Sequence, residues 1–410
     1  MTKKASTPAL RFKGFTYTWE QRKLSEFADK VTEKNVGLQY IETFTNSAEF
    51  GIISQRDFFD HDIAKMSSLG GYYIVRSEDF VYNPRISTSA PVGPINRNKL
   101  GRIGVMSPLY TVFRPHDIGT TYLEHFFKSK YWHSFMNFNG DSGARSDRFS
   151  IKDSVFFEMP IPIPHIEEQR KIGEYLTHLD RLITLHQRKY DKLTNMKKSM
   201  LEKMFPKNGA NVPEIRFKGF TDAWEQRKLG EAVQEVTRND ATSDAPIMMI
   251  TANNGFIEQS ERYAFNNAGE SLKKYILLEK GELAYNHGAS KLRPYGSCFT
   301  LTTSENARIP FVYHCFSADE QNSEFLSIEL NGADVENQLR RIVSSGARMD
   351  GLLNISFQEY VSVSVLFPTI EEQNKIADFF KNLDNLITLH QRELEKLKNL
   401  KKACLEKMFV

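Results

Sequence analysis

The sequence predicts an α+β protein in which one arrangement occurs twice: two globular α/β domains separated by two long antiparallel helices in a coiled coil, with pseudo-two-fold symmetry. Two observations predict this fold class. The segment that begins RFKGFT at Arg11 returns at Arg216, with 15 of 25 positions identical. The segment that begins IEEQ at Ile166 returns at Ile370, with 25 of 40 positions identical. The repeated unit is about half of the chain, far longer than the ~20 to 50 residues of solenoid repeats.

The repeated segments form what we call the frame, and the residues between them form two inserts. The first insert spans residues 36–150 and the second spans residues 241–354, and they share only short islands of sequence. The predicted boundaries are a first domain at 1–160, a first helix at 166–205, a linker at 206–215, a second domain at 216–367 and a second helix at 370–409. A constant frame with variable inserts indicates that each insert contacts something different, and relaxed selection on one duplicated domain is the alternative.

The two long helices are predicted from apolar residues that recur at alternating steps of three and four, the pattern of a coiled-coil seam. An amphipathic helix of this length must bury its apolar stripe, and the other copy is the obvious partner. The seam and subunit-docking candidates are Leu179, Ile183, His186, Leu193, Leu383, Ile387, His390 and Leu397. The two histidines are expected to set the register rather than to bind metal, and the glutamates of IEEQ to favour each helix N-terminus electrostatically.

Short strand-like runs between turn residues fill both inserts, and a helical segment lies near the end of each. Three islands occur in both inserts: YN at Tyr82 and Tyr285, SGAR at Ser142 and Ser345, and a strand leading into each long helix. The Pro-Ile-Pro run before the first helix is lost at residues 363–367, so the approach to the second helix is expected to differ in shape.

Basic side chains interleaved with aromatic ones suggest contacts with nucleic acid. A hydroxyl, a flexible backbone and a guanidinium in SGAR suit a phosphate or a guanine edge. A turn with a solvated arginine is the alternative for this loop. The candidate DNA-binding residues are Arg56, Tyr82, Asn83, Arg85, Arg102, Ser142, Arg145, Arg148, Tyr285, Asn286, Lys291, Arg293, Ser345 and Arg348.

The bulk composition limits the class of protein. The 410 residues include 40% hydrophobic and 26% charged residues, typical of a soluble globular protein. Without a long apolar run or a secretory signal, and with three cysteines unpaired by spacing, the sequence predicts a cytoplasmic protein that does not span a membrane. The net charge of +3 is modest for a protein that holds DNA alone, so either DNA is not the ligand, or the basic residues are segregated, or a partner contributes cations.

Motifs of the common catalytic sites are missing from the sequence. It contains no GxxxxGK[ST] loop, no HExxH or CxxC motif, and no [DNS]PP[YFW] motif for holding a flipped base. Asn83-Pro84-Arg85 is the nearest approach to the last of these. The sequence therefore predicts a non-enzymatic protein with no catalytic and no metal-binding residues.

Taken together, these features resemble the specificity (S) subunit of type I restriction-modification systems. The RFKGFT..WEQRKL opening, the YN island, the SGAR loop and the IEEQ helix carry the resemblance over essentially the whole chain. It implies that each insert domain is a target recognition domain for one half of a bipartite, asymmetric sequence in double-stranded DNA. The helices would set the gap between the halves, and the chain would serve host defence.

The resemblance also implies partners. Two modification subunits would dock on the helices, bind S-adenosylmethionine and methylate adenine. Two restriction subunits that use ATP and Mg would join where the system includes them, and this chain itself would bind no cofactor. Two other classes stay open on the sequence alone: a coiled-coil adaptor for two proteins without nucleic acid, and a stand-alone DNA enzyme with an unrecognised site.

Overall fold

The computed structural model describes residues 7–61, 64–141, 147–207, 209–240, 242–252, 254–261, 269–343 and 352–410. The chain divides into two compact units. Unit 1 comprises Met1–Arg188 with Gln391–Val410, and unit 2 comprises Lys189–His390. Each unit therefore contains one insert and part of both long helices.

The described residues of unit 1 include ten short strands. They are β1 (Glu20–Lys23), β2 (Ala28–Lys30), β3 (Phe44–Ser47), β4 (Gly51–Ser54), β5 (Tyr73–Val75), β6 (Phe80–Tyr82), β7 (Ile95–Arg97), β8 (Gly104–Met106), β9 (Thr111–Pro115) and β10 (Pro160–Ile163). The main sheet has four strands in the order β2-β9-β6-β7, and β3 pairs with β4, β5 with β8 and β1 with β10. All these pairs are antiparallel.

The short helices that accompany these strands are α1 (Gln55–Phe59), α2 (Thr120–Lys128), α3 (Tyr131–Asn139) and α4 (Asp153–Phe156). The first long helix, α5, spans Ile166–Lys203. Phe80, Phe113 and Phe156 pack between the main sheet and the helices. Val81 and Val112, which point to the opposite face, pack in a second cluster. Both faces of the sheet are therefore buried.

Unit 2 repeats this topology. Its strands are β11 (Glu225–Lys228), β12 (Gln234–Glu235), β13 (Met248–Thr251), β14 (Gly255–Glu258), β15 (Ile276–Glu279), β16 (Leu283–Asn286), β17 (Ser297–Thr300), β18 (Asn306–Ile309), β19 (His314–Ser317) and β20 (Ser364–Phe367). Its helices are α6 (Ser323–Leu330), α7 (Ala333–Ile342), α8 (Phe357–Tyr360) and the long α9 (Ile370–Lys407). The main sheet follows the order β12-β19-β16-β17. The α+β prediction with an internal repeat is confirmed.

The approach to the second long helix corrects one expectation. Strand β20 pairs with β11 from Glu225↔Phe367 to Lys228↔Ser364, and β10 pairs with β1 from Glu20↔Ile163 to Lys23↔Pro160. The register is the same, so the expectation of a different shape is wrong. An edge pair of strands needs extended backbone, which Val and Leu supply as well as Pro does.

Within each unit the long helices pack antiparallel. In unit 1, Asp180 forms an ion pair with Lys401, and Tyr175 is hydrogen-bonded to Cys404. In unit 2, Lys197 Nζ lies 2.6 Å from Asp384 Oδ1. The rings of Phe205 and Phe380 lie 6.1 Å apart. Residue numbers rise along one helix as they fall along the other, as the predicted coiled coil requires.

Candidate nucleic-acid interface

The frame is held together by one buried ion pair in each unit. Arg11 donates to Glu168 at 2.6 and 2.7 Å, and Arg216 donates to Glu372 at 2.7 and 2.7 Å. Both carboxylates are only 1% exposed. The glutamate of IEEQ thus joins the start of each long helix to the RFKGF segment, a role beyond the predicted effect on the helix N-terminus. The signal in the sequence was the presence of both Arg and Glu in both copies.

The glutamine of IEEQ ties each insert to its helix. Gln169 Oε1 accepts a hydrogen bond from the backbone N–H of Gly119 at 2.8 Å, just before α2. Gln373 Oε1 accepts from the N–H of Asn322 at 3.0 Å, just before α6. The side-chain Nε2 of each glutamine also donates to the carbonyl of the proline five residues earlier in the chain, at 2.9 Å. The inserts are therefore anchored on the frame in the same way.

The tyrosines of the YN islands lie in the core. Tyr82 is 2% exposed and Tyr285 is 1% exposed. Their hydroxyls donate to the carbonyls of Val92 at 2.9 Å and Tyr295 at 2.6 Å, and burial raises the pKa of both. Both tyrosines are therefore enclosed by their own domain, with their hydroxyls bound to backbone carbonyls, and their contact with DNA stays a prediction.

The asparagines of the YN islands shape the turn after β6 and β16. Asn83 Nδ2 donates to the carbonyl of Asn46 at 2.8 Å, and its Oδ1 accepts from the N–H of Arg85 at 3.0 Å. Asn286 makes the same pair of bonds, to the carbonyl of Ile250 at 3.0 Å and from the N–H of Gly288 at 2.9 Å. Both side-chain amides form hydrogen bonds with the backbone. They position the residues that follow rather than presenting a free amide to a base.

A glycine stands behind each YN turn for a steric reason. Gly93 has φ of +83° and Gly296 has φ of +83°. A Cβ on Gly93 would lie 2.1 Å from the carbonyl oxygen of Asn83, and one on Gly296 would lie 2.6 Å from that of Asn286. Only glycine allows both the left-handed backbone and this close approach.

The cations of the first insert divide into two places. Arg85 is exposed and Arg148 is half-buried, and a backbone bridge holds them side by side. Arg56 lies exposed on α1. Arg102 donates to Glu42 at 2.8 and 2.7 Å, and these hydrogen bonds raise the pKa of its guanidinium. The charge of Asp57, on α1, also raises the pKa of Arg102, so Arg56 and Arg102 belong to the same region of the insert.

In the second insert, Lys291 is exposed but Arg293 is half-buried. Arg293 Nη1 donates to the carbonyl of Asn331 at 2.8 Å, and burial lowers the pKa of the guanidinium. Its Nε is buried without a hydrogen-bond partner. Arg293 therefore packs into the domain, and Lys291 is the better-placed cation of the two. Ser142, Arg145, Ser345 and Arg348 lie outside the described residues.

The predicted seam residues of the two long helices are buried or half-buried. Leu179 and Leu383 are buried, at 3% and 4% exposed, and Ile183, His186, Leu193, Ile387, His390 and Leu397 are half-buried. Over the described ranges, no group of three or more His, Cys, Asp or Glu side chains could hold a metal ion. None of the helices in the described parts of the chain is long and apolar enough to cross a membrane.

Comparisons with known proteins agree with this arrangement. A family model described as type I restriction modification DNA specificity domain matches residues 17–195. The type I restriction enzyme MjaVIII specificity subunit of Methanocaldococcus jannaschii is 23% identical over 275 residues, which cover 62% of this chain and 61% of that protein. The match thus spans about three fifths of the length of this relative.

The fold itself has been observed before. The crystal structure of a type I restriction-modification system S subunit from M. genitalium is similar with a TM-score of 0.55 and 14% sequence identity, over 99% of each chain. This likeness covers both units and both inserts, whereas the family model covers the first half. This chain therefore resembles type I restriction-modification specificity subunits, in sequence over residues 17–195 and in fold over 99% of its length.

Proposed function

We propose that this chain is the DNA sequence-specificity subunit of a type I restriction-modification complex, in which each insert reads one half of a bipartite, asymmetric DNA sequence. One observation carries the proposal: the two inserts share a topology and an anchoring on the frame, yet differ at equivalent positions. Strand β6 pairs Tyr82 with Thr111 in β9, and strand β16 pairs Tyr285 with His314 in β19. Equal scaffolds with different side chains suit an asymmetric target.

In the first insert, Arg85 and Arg148 are the leading candidates for DNA contacts, with Arg56 and Arg102 as a second cationic region. Arginines at such places neutralise phosphates and, where they reach a base edge, donate two hydrogen bonds to guanine. Lys291 has this role in the second insert. Arg145 and Arg348, with Ser142 and Ser345 of the SGAR loops, stay candidates on their sequence. The YN asparagines contribute by positioning residues 85 and 288.

The reaction is assigned to partner subunits. Two modification subunits would dock on the long helices, bind S-adenosylmethionine and methylate adenine, and restriction subunits would use ATP and Mg. The chain itself would bind neither cofactor and supply no catalytic group. Its contribution is to fix which DNA the partners act on, and at what spacing. Shared cations between the subunits would explain why a net charge of +3 is sufficient.

Sequencing of methylated adenine tests the proposal. DNA from cells that express the chain with its modification subunit is compared with DNA from cells that lack the chain. We expect one gapped motif that appears only with the chain. If an assembled complex adds no methylation, the proposal fails and a protein adaptor becomes the better explanation.

Variants then assign the half-sites. Arg85→Ala with Arg148→Ala should relax the sequence preference in one half of the motif only, because a lost bidentate contact reduces discrimination by roughly 1–3 kcal/mol. Arg76→Ala is the matched control, since Arg76 is an exposed arginine of the same insert that is paired with Glu33 at 3.0 Å. A uniform loss of binding on all sequences, with a shallower dependence on salt, would instead assign Arg85 and Arg148 to phosphates.

A further inference from the structure

The first insert contains a cavity of about 460 Å³ beside its main sheet. This volume lies within the range of roughly 300–1,000 Å³ that is typical of ligand sites. Its walls include Lys30, Tyr73, Tyr110, Thr111, Arg148 and Asp153. None of these residues except Arg148 belongs to the DNA contacts proposed above, so the cavity has no role yet.

One side of the cavity is polar and preorganised. Thr111 Oγ1 donates to Asp153 Oδ1 at 3.1 Å, and Lys30 forms an ion pair with Asp153 Oδ2. The hydrogen bond to Asp153 raises the pKa of Lys30, which keeps the ammonium charged. The side chains of Lys30 and Asp153 are 36% and 45% exposed. Because a carboxylate has about four acceptor positions, Asp153 can accept a further hydrogen bond from a ligand.

The other sides are aromatic. Tyr73, Tyr82 and Tyr110 line the cavity. Tyr110 is fixed in place because its hydroxyl lies 3.2 Å from Thr45 Oγ1. Flat aromatic walls with a polar group at one side favour a flat ring that has hydrogen-bonding groups on its edge.

Cations lie at the cavity. Arg148 lines it, and the backbone bridge places Arg85 beside Arg148. Phe149, the next residue, is fixed by its N–H, which donates to the carbonyl of Pro84 at 2.7 Å. A ring that carries a phosphodiester on either side would place negative charge near these two arginines.

In the second insert, rings occupy the corresponding positions. Thr111 and His314 are equivalent, since each lies opposite the YN tyrosine across the sheet. Pro84 and His287 are equivalent, since each lies two residues after that tyrosine. The rings of His287 and His314 lie 5.2 Å apart, and His314 lies 5.9 Å from Phe357, the residue that begins α8 as Asp153 begins α4.

Both histidines also lie within hydrogen-bond distance of backbone carbonyls in the segment before α8. The distances are 2.9 Å from His287 Nδ1 to the carbonyl of Leu353 and 3.0 Å from His314 Nε2 to that of Ile355. The scaffold thus accepts imidazoles where the first insert has a proline and a threonine. At this place the two inserts therefore differ in side-chain volume and chemistry although their folds agree.

We infer that the cavity of the first insert receives one nucleobase turned out of the DNA duplex, with its exocyclic amino group donating to Asp153. This inference rests on the proposed function and extends it from contacts with stacked base pairs to the reading of an extruded base. Adenine, cytosine and guanine carry the amino group, and thymine does not. A peptide side chain would use the apolar walls but would not account for the arginines at the cavity together with a carboxylate acceptor.

The experiment uses the full chain assembled with its modification subunits, on the target found by methylation sequencing. That sequencing tests the proposed function first and independently. The opposite base is then changed at each position of the half-site, which removes the pairing but leaves the candidate base in place. A base that leaves the stack is easier to extrude when it is mispaired. We therefore expect binding to strengthen roughly tenfold or more at one position besides the methylated adenine.

Two variants of the first insert connect this effect to the cavity. Pro84→His with Thr111→His fills the cavity with the rings found at the equivalent positions of the second insert. Asp153→Asn keeps the shape and removes the anionic acceptor. The double variant should abolish the strengthening, and Asp153→Asn should reduce it, because an amide oxygen is a weaker acceptor than a carboxylate. Discrimination at the other positions of the same half-site should persist, which reports that the first insert is folded.

The inference is wrong if binding strengthens at no position besides the methylated adenine, or if it strengthens equally in wild type and in both variants. In the second case, weaker assembly of the variants with the modification subunits would assign the cavity to a protein side chain.

Discussion

Removal of Arg216 should destabilise unit 2 strongly. The Arg216→Met change leaves Glu372, which is 1% exposed, without the guanidinium that binds both of its oxygens at 2.7 and 2.7 Å. Breaking a buried pair by removing one partner costs roughly 3–5 kcal/mol, because the remaining charge is buried and uncompensated. Replacing both partners, as in Arg216→Met with Glu372→Leu, should restore much of this loss, since apolar pairs of similar volume are often as stable.

Tryptophan fluorescence allows the change to be measured in one unit. The three tryptophans are Trp19, Trp132 and Trp224, and only Trp224 belongs to unit 2. With Trp19 and Trp132 changed to Phe, urea unfolding followed at Trp224 reports on unit 2. A typical dependence of ~1–3 kcal/mol per molar urea converts a loss of ~4 kcal/mol into a midpoint roughly 2 M lower.

The control for this experiment is Lys280→Met in the same unit. Lys280 forms an exposed pair with Glu305 at 2.6 Å. Such pairs contribute less than about 1 kcal/mol, so the midpoint should hardly move. The reasoning is refuted if Arg216→Met and Lys280→Met shift the midpoint equally, or if the double variant is no more stable than Arg216→Met alone.

Three further predictions concern stability. Burial, aided by Asp334, raises the pKa of Glu329 from 4.5 to about 8, so folded unit 2 retains a proton that the unfolded chain releases. The free energy of unfolding of unit 2 should therefore fall, by up to roughly 5 kcal/mol, as the pH rises from the unfolded to the folded pKa. In Glu329→Gln, the urea midpoint should no longer depend on pH in this range. Gly93→Ala should lower the melting temperature far more than Gly101→Ala, because both glycines have positive φ but a Cβ on Gly101 meets nothing within 4 Å. Leu179→Ala should cost roughly 2–5 kcal/mol in urea unfolding and Leu185→Ala much less, since Leu179 is 3% and Leu185 is 46% exposed.

The sequence was sufficient for the frame and for the secondary structure of the inserts. Short strand-like runs between turn residues predicted the strands, and each long helix begins at the IEEQ isoleucine and ends within two residues of the predicted limit, at Lys203 and Lys407. These features depend on local patterns that both copies state independently. The pairing of Arg11 with Glu168 was not predicted, because the two residues are 157 positions apart and nothing local connects them.

The YN islands show why the site was harder to predict than the fold. Occurrence in both copies marked these residues as important, but it does not distinguish a buried structural role from an exposed binding role. The alternation along FVYN cannot assign Tyr82 to the surface either, because Phe80, Val81 and Tyr82 are all buried on a sheet that is covered on both faces. Side-chain direction, which decides the role, came only from the three-dimensional structure.

Within a duplicated chain, shared and differing positions therefore carry different information. Among the features that recur in both units, the Arg–Glu pairs, the YN turns and the glycines behind them serve the scaffold, because their contacts are made within the domain. Features that differ at equivalent positions are the better guide to what each insert reads. Thr111 against His314 is such a difference in the wall of the cavity. If the insert cavity takes a base, exchanging these two residues should alter one half of the methylated motif and leave the frame intact.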